Sequence, residues 1–470
     1  MLFNSFEFLL FFITVAFTYF ILKDKWRWAL LLGASYFFYG SWNISYLILI
    51  LLSTVTTFYS GILIEKTPSQ KKNITFSSLA INLGILFFFK YYNFFATTVN
   101  SLNEDTLPFF DSLLPVVGIS FYTFQALSYT MDVYNGKIKS QKHIGKYALF
   151  VSFFPQLVAG PIEKASNLLP QFSENKIFNY DRVRSGLLLI TWGIFKKVVI
   201  ADRIGIFVSE VYNTPLESYG VINIIATILF SFQLYLDFSS YSEIAIGSAR
   251  VFGYKLSINF KRPYLSVSFK DFWKRWHITL NAWFFEYLYL PLGGNKKKGI
   301  TTIRNIIIIF LVSGLWHGAS WNFVIWGGIN SIFLLVIDRF LQSKKKKKKK
   351  LFGKIFFGTI IMLLWSASLV FFRANTFEDA LTIYSNMNFS GIENLYDFGL
   401  NKLTFKITIR LLILVYIIEL FQELGFTENK IFNAPIIIRW LIYLILPLST
   451  LYFGAYGLDS SDSSFIYFQF

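Results

Sequence analysis

The chain has 470 residues, of which 54% are hydrophobic, 20% aromatic and only 15% charged. A soluble domain carries about 25% charged residues, so this composition excludes a water-soluble enzyme. The formal charge of +17 places seven cations in one run from Lys344 to Lys350 and scatters the others among apolar segments, which excludes nucleic-acid binding as a main role.

In chain order, apolar runs near the roughly 20 residues that cross a bilayer predict an all-α, polytopic membrane protein. Its expected spans cover 5–22, 26–41, 44–64, 73–95, 113–133, 184–208, 220–240, 303–317, 319–341, 352–373, 406–424 and 436–455. The first carries Glu7, no basic leader and no small-residue cleavage motif, so it reads as a retained span. Lys23, Lys25 and Arg27 follow that span; Lys66, Lys71 and Lys72 follow the third; Lys137, Lys139, Lys142 and Lys146 follow the fifth. The loops over 100–112, 209–220 and 374–404 are acidic, with Lys402 their one basic residue past Arg373. The positive-inside rule therefore puts the N-terminus outside and the lysine loops, Lys344 to Lys350 included, in the cytoplasm. That lysine run reads as a solvated loop held near anionic lipid.

Two apolar segments, from Tyr147 to Pro161 and from Ile278 to Gly294, are flanked by cytoplasmic-type charge and are too short to cross and return. They are expected to be re-entrant or interfacial, which is tolerated where protein or a wet cavity surrounds them. No soluble domain and no repeat is evident. Residues 1–470 form one unit: N-terminal spans in 1–135, a core in 136–345 and C-terminal spans in 346–470.

The core holds all three histidines of the chain, and two of them, His277 and His317, lie at its centre. His317 lies 13 residues past Arg304, roughly 20 Å into a core about 30 Å thick. No charged side chain occurs from Ile306 to Ile337, a run that starts and ends beside cytoplasmic-type charge and so must be a hairpin. Gly314 and Gly318 bracket the histidine where that hairpin turns or breaks. An ionisable group at this depth is either hydrogen-bonding glue between helices or a proton-transfer or ligand group facing a cavity. His277 closes an alternation of charge and aromatics, from Phe269 to Trp276, and is expected at or just below the cytoplasmic mouth. His143 sits among loop lysines and reads as a surface residue. No ligand cluster accompanies the histidines, so no metal site is expected. Cysteine is absent, which removes disulfides and any cysteine acyl-enzyme.

The string Ser313-Gly314-Leu315-Trp316-His317-Gly318-Ala319-Ser320-Trp321, with Phe272-Trp273-Lys274-Arg275-Trp276-His277 before it, resembles the membrane-bound O-acyltransferase superfamily. Pro155-Gln156-Leu157-Val158-Ala159-Gly160-Pro161-Ile162, Gln233-Leu234-Tyr235-Leu236-Asp237-Phe238-Ser239, Pro291-Leu292-Gly293-Gly294, Phe371-Phe372-Arg373-Ala374 and the terminal Phe465-Ile466-Tyr467-Phe468-Gln469-Phe470 resemble its bacterial alginate and peptidoglycan O-acetyltransferase branch. Leu236 and Ser240 depart from that branch's usual phenylalanine and glycine.

The resemblance implies about 11–12 transmembrane helices with re-entrant and interfacial helices around a central funnel, in a bacterial cytoplasmic membrane. It implies transfer of an acyl group, an acetyl, from a cytoplasmic thioester donor (acetyl-CoA or an acyl carrier protein) to an extracytoplasmic polysaccharide. No cofactor is expected to be tightly bound. An extracytoplasmic SGNH-type partner is expected to share the final transfer, and His317 and His277 match the family's motif pair. The related branch that transfers D-alanine to teichoic acid, or a polysaccharide or lipid transporter, is the competing reading.

The chemistry suits the residues. Acyl transfer to a hydroxyl needs a base working near neutrality, which imidazole supplies. His277, Asn281 or a backbone amide is the candidate to hold the developing oxyanion. Trp273, Trp276, Trp316 and Trp321 either wall a channel or pack helices. Asp237 orients a histidine or lysine, or caps a helix. Lys261 and Arg262 are either donor-phosphate contacts or ordinary positive-inside charges.

Overall fold

The computed structural model describes residues 1–103, 106–110, 116–294, 299–341, 351–456 and 465–466. The seven-lysine run, Glu104, Asp105, Asp111 and positions 467–470 of the terminal motif lie outside the described residues. Among the described residues all regular structure is helical. In hydrocarbon every backbone N–H and C=O must be paired within its own segment, and helices do this.

The chain opens with α1 (Phe6–Ile21), α2 (Asp24–Gly40), α3 (Tyr46–Lys66) and α4 (Lys71–Leu86). A π-helical turn, Phe87–Tyr91, joins α4 to α5 (Tyr92–Asn100), and α6 (Ile119–Tyr134) follows. Two short helices come next, α7 (Ile144–Ser152) and α8 (Ala165–Gln171). α9 (Tyr180–Ile194) passes through a second π turn, Phe195–Ala201, into α10 (Asp202–Asn213). α11 (Val221–Phe252) has 32 residues. α12 (Phe269–Trp273) and α13 (Ile278–Phe284) are short, and a π turn, Phe285–Tyr289, extends α13. α14 (Ile300–His317) and α15 (Trp321–Ile332) make the expected hairpin, α15 running on through Phe333–Ile337 into α16 (Asp338–Leu341). α17 (Leu351–Arg373), α18 (Phe377–Ser385), α19 (Lys402–Glu423), α20 (Glu428–Phe432) and α21 (Ile436–Phe453) complete the chain.

Each expected span coincides with a helix. Among the described residues six helices are long and apolar enough to cross a membrane, with Phe6–Ile21 and Trp321–Ile337 shorter but apolar. α11 runs well past the expected limit of 240. Its apolar signal fades at Ser239, Ser240, Ser242 and Glu243, yet the three serines are buried and Glu243 is paired: the Ser240 hydroxyl bonds back to the Leu236 carbonyl, and Glu243 meets Lys196 at 3.0 Å. The segment from Tyr147 to Pro161 is buried throughout, in α7 and the non-helical stretch after it. That is the condition under which irregular backbone survives at depth.

The lysine loops gather on one face. Lys71 lies 5.1 Å from the Tyr134 ring, and Lys142 pairs with Glu65 at 2.6 Å. Trp28 packs on His143 at 4.7 Å, and Lys137 and Lys164 both pair with Glu286. Arg27 donates to the Lys176 carbonyl, Gln171 bonds Lys255, and Arg250 meets Glu428, continuing the same face. His143 is exposed and caps α7 by accepting from the Lys146 amide. The acidic loops pack together elsewhere: Gly220 donates to the Asn386 carbonyl at 2.7 Å and Val221 to that of Ser390 at 2.9 Å.

Small residues set the closest helix crossings, as membrane packing favours. Gly186 of α9 faces Gly247 of α11, and Gly193 faces the Ser240 carbonyl. In the α14–α15 hairpin a Cβ on Gly314 would fall on the Phe323 carbonyl oxygen, and one on Gly327 on that of Phe310. Gly314→Ala is therefore expected to cost about 1–3 kcal/mol through overpacking. Gly84→Ala, where a Cβ meets nothing within 4 Å, should be neutral or slightly stabilising. Thermal unfolding in detergent compares the two; equal melting temperatures would show that the crossing is slack.

Candidate active site

His317 is the last residue of α14, and Gly318, in extended conformation at φ −158° and ψ 152°, breaks the helix there. The break aims the imidazole inward: His317 is 4% exposed, with Trp316, Trp326 and Phe372 ring centroids 5.0, 5.1 and 5.4 Å from its own.

His277 is buried beside His317, below the lysine-rich face. It is 1% exposed, and its ring centroid lies 6.5 Å from that of His317, so 40 residues of chain close on one spot. Residues 259–262 and 275–278 run alongside each other, Lys261 N donating to Arg275 O and Ile278 N to Asn259 O, both at 2.9 Å, and this short ladder carries His277 inward. Its two ends hold the positive-φ non-glycine residues of the described chain, Arg262 at 48° and His277 at 43°. Such backbone persists only where its surroundings over-determine it. Here Glu423 of α19 grips the ladder from both strands, pairing with Arg262 at 2.8 Å, Arg275 at 3.2 Å and also Lys354 at 2.7 Å.

Asn259 fixes the tautomer of His277. Its Oδ1 accepts from the Thr279 amide at 3.3 Å and the Thr279 hydroxyl at 3.0 Å, so His277 Nδ1, 3.1 Å away, donates to it as well. A neutral imidazole with Nδ1–H committed presents Nε2 as a lone pair. In that form His277 has no N–H to offer an oxyanion, which removes one of the candidates for that task.

Asn281 leaves that task too: its amide donates to the Trp273 carbonyl at 2.7 Å and the Trp276 carbonyl at 2.6 Å, tying the turn ahead of His277. The stretch from Phe269 to Trp276, expected to be interfacial, turns its aromatics into the protein. Phe269, Phe272 and Trp276 are buried, while Lys270 and Lys274 reach outward. Trp276 stacks on Phe272 at 5.6 Å, and Trp273 packs against Phe310 at 5.1 Å and Trp365 at 5.5 Å. These two tryptophans build the wall behind the histidines. Trp316 contacts both histidines, at 5.8 Å from His277. Trp321 is 56% exposed and rests on Phe94 at 5.6 Å, away from the histidines. Asp237 orients a lysine: it pairs with Lys197 at 2.5 Å, and Lys197 also meets Asp202 at 2.6 Å. Asp237 accepts from the Ile466 amide at 2.9 Å as well, which seats Phe465 against Tyr241 at 4.4 Å and Phe238 at 5.5 Å. Phe238 in turn lies 4.7 Å from the His277 ring.

Cavities approach the histidine pair from two sides. One of about 400 Å³ is lined by Lys90, Ser120, Phe121, Trp316 and His317, with exposed Thr97 and Phe109 at its rim. Two lie toward the lysine-rich side. A cavity of about 400 Å³ includes Glu163, Lys164, Ser257 and Thr279, and one of about 290 Å³ includes Asn259, Lys261, Arg262 and Glu243. They end on Asn259, which holds His277, and on Thr279, which donates to Asn259. Glu163, clamped by Ser257 and Asn167, has its carboxyl pushed up by burial. Sequence reasoning missed Asn259, Lys90, Trp326, Trp365 and Phe238. Lys90 alone carried a usable signal, a charge inside an apolar run. Among the described residues no cluster of three His, Cys, Asp or Glu suits a metal ion.

An all-helical membrane protein with two histidines buried together at the meeting of opposed cavities is the class that fold and site define. Residues 36–373 match the membrane-bound O-acyltransferase family, MBOAT, and the chain belongs to that family; it is a multi-pass membrane O-acyltransferase. It is 37% identical over 426 residues to a peptidoglycan O-acetyltransferase of Helicobacter pylori, covering 82% of this chain and 80% of that protein. It is 32% identical to a probable alginate O-acetylase, AlgI, of Pseudomonas putida over the full length of both. A teichoic acid D-alanyltransferase of Streptococcus thermophilus is 30% identical over 52% of this chain and 61% of its own.

Proposed function

We propose that the protein moves an acetyl group from a thioester donor on its lysine-rich, cytoplasmic face to a hydroxyl of an extracytoplasmic polysaccharide of the alginate or peptidoglycan kind. Acetyl-CoA or an acyl carrier protein is the donor, the bacterial cytoplasmic membrane the site, with the N-terminus outside. An SGNH-type protein shares the final delivery. The observation that carries this reading is the pair of imidazoles 6.5 Å apart between cavities on opposite sides.

In the transfer, His317 takes the proton of the attacking hydroxyl, the oxygen bonds to the thioester carbonyl carbon, and the tetrahedral oxyanion collapses with loss of thiolate. His277, held by Asn259, presents its Nε2 lone pair alongside as a second proton acceptor. Full-length identity to a probable alginate O-acetylase, against half-length identity to a D-alanyltransferase, favours acetyl over D-alanyl.

Purified protein in lipid nanodiscs, given an alginate or peptidoglycan oligosaccharide as acceptor and acetyl-labelled coenzyme A or acetyl-labelled acyl carrier protein as donor, should release the thiol from one donor and leave a D-alanyl thioester untouched. Cells whose only copy is this chain should carry alkali-labile acetate on their exported polysaccharide. Intact acetyl thioesters in both arms would overturn the reading in favour of transport or D-alanylation.

A further inference from the structure

Between α4 and α5 the helix passes through the π-helical turn Phe87–Tyr91, which carries Lys90. Turns of this kind recur at functional sites, because the extra residue turns a side chain off the regular helical face. Lys90 stands 19 residues past Lys71, roughly 28 Å along the helix, so its ammonium lies far from the lysine-rich face. A cation at such a position is costly unless it is paired or used.

Lys90 is both. Nζ donates to the Trp316 carbonyl at 2.8 Å, the His317 carbonyl at 3.3 Å and the Ser120 hydroxyl at 3.4 Å. These carbonyls belong to the helix end that Gly318 breaks off, where backbone acceptors lose their intrahelical donors and the helix dipole favours a cation. The ammonium also lies 5.9 Å from the Trp316 ring centroid. Lys90 and His317 line the same cavity, and among its described lining residues no acidic side chain offsets the charge.

We infer that Lys90 is a positioning residue for acyl transfer: it grips the broken end of α14 by two consecutive carbonyls and so fixes the direction in which the His317 imidazole enters the cavity. The inference rests on the reading of His317 as the base. Lysine is the side chain long enough to reach both carbonyls from the π turn, and arginine keeps the charge and the donors while changing their geometry. A methionine of similar length keeps the packing and removes the grip.

The test uses the full chain in nanodiscs as parent, Lys90→Met and Lys90→Arg, with acetyl-labelled coenzyme A and acetyl-labelled acyl carrier protein as donor probes and an alginate or peptidoglycan oligosaccharide as acceptor. Amide hydrogen exchange over 310–319, read by mass spectrometry, should quicken at least tenfold in Lys90→Met and stay near parental elsewhere. Turnover on the donor that the parent uses should fall at least tenfold with that donor's KM within threefold, and Lys90→Arg should recover most of both. Parental exchange over 310–319 in Lys90→Met overturns the inference. So does exchange that rises throughout the protein with a lowered melting temperature and no recovery by arginine, the mark of a structural role alone. If the parent leaves both thioesters intact, the proposed function fails separately, and parental or quickened exchange at 310–319 still decides the grip.

Discussion

His317→Ala is expected to lower acyl transfer by roughly 10²–10⁴-fold, the range that a positioned acid–base side chain contributes. The protein should remain inserted and folded. His317 ends its helix, borders an existing cavity and is followed by Gly318, so truncation opens space next to space that is already there. A stability loss of about 1–3 kcal/mol is typical of such a change. His317→Gln keeps polarity and approximate volume but cannot take a proton near neutrality, and it should be as inactive as the alanine variant. Label transfer from the acetyl thioester, read beside the gel-filtration profile, separates chemistry from folding. A glutamine variant with half the parental rate would make the imidazole a packing group and end its assignment as base.

Lys197→Met should be the most damaging single change to stability. Lys197 holds Asp202 and Asp237 at once, at 2.6 and 2.5 Å, and all three are buried. Removing one partner of a buried pair costs about 3–5 kcal/mol, because the remaining charge keeps its desolvation penalty and loses its compensation. Here two carboxylates are left facing each other, and Asp237 also anchors the chain end through the Ile466 amide. The expected result is a steep loss of folded protein in membranes and a melting temperature lowered by many degrees. Lys197→Met combined with Asp237→Asn should recover part of the loss, since it halves the uncompensated charge. Parental melting of the single variant would mean that water or another cation already serves the carboxylates.

Much of the helix plan was legible because hydrocarbon thickness constrains the sequence so strongly. The spans ending at Gly40, His317, Arg373 and Phe453 announce themselves by apolar length and flanking charge. α11 outran its signal because Ser239, Ser240, Ser242 and Glu243 read as an exit to water, whereas Lys196 satisfies Ser239 and Glu243 inside the protein and the Leu236 carbonyl satisfies Ser240. Hydropathy measures polarity and cannot distinguish a satisfied buried polar group from a solvated one. The site shows the same division. His317 stood out as an ionisable residue in a charge-free run, and the hairpin around it followed from charge at both ends.

The approach of His277 to His317 did not follow. The neighbouring Lys274, Arg275, Lys270 and Asp271 look interfacial, and only the ladder with residues 259–262, a contact across the chain, draws the histidine inward while its charged neighbours turn to Glu423 or outward. Trp321 carries the same residue type as Trp316 but points the other way, because the break at Gly318 changes the helical phase between them. Lys90 lies just inside the expected end of its span, where a lysine that reaches out to the headgroups would look the same in sequence.

The narrowness of the barrier between the opposed cavities has a further consequence. Asn259 and Thr279 border one side, His317 the other, and the two rings between them are tightly flanked by Phe121, Phe238, Trp316 and Trp326. On the proposed reaction neither the bulky thiol carrier nor the polymer has to travel: a two-carbon fragment is handed across a partition about two side chains deep. Such a partition can stay tight to ions while the fragment passes, so a cell can decorate its exterior without draining the gradients that its lipid bilayer maintains.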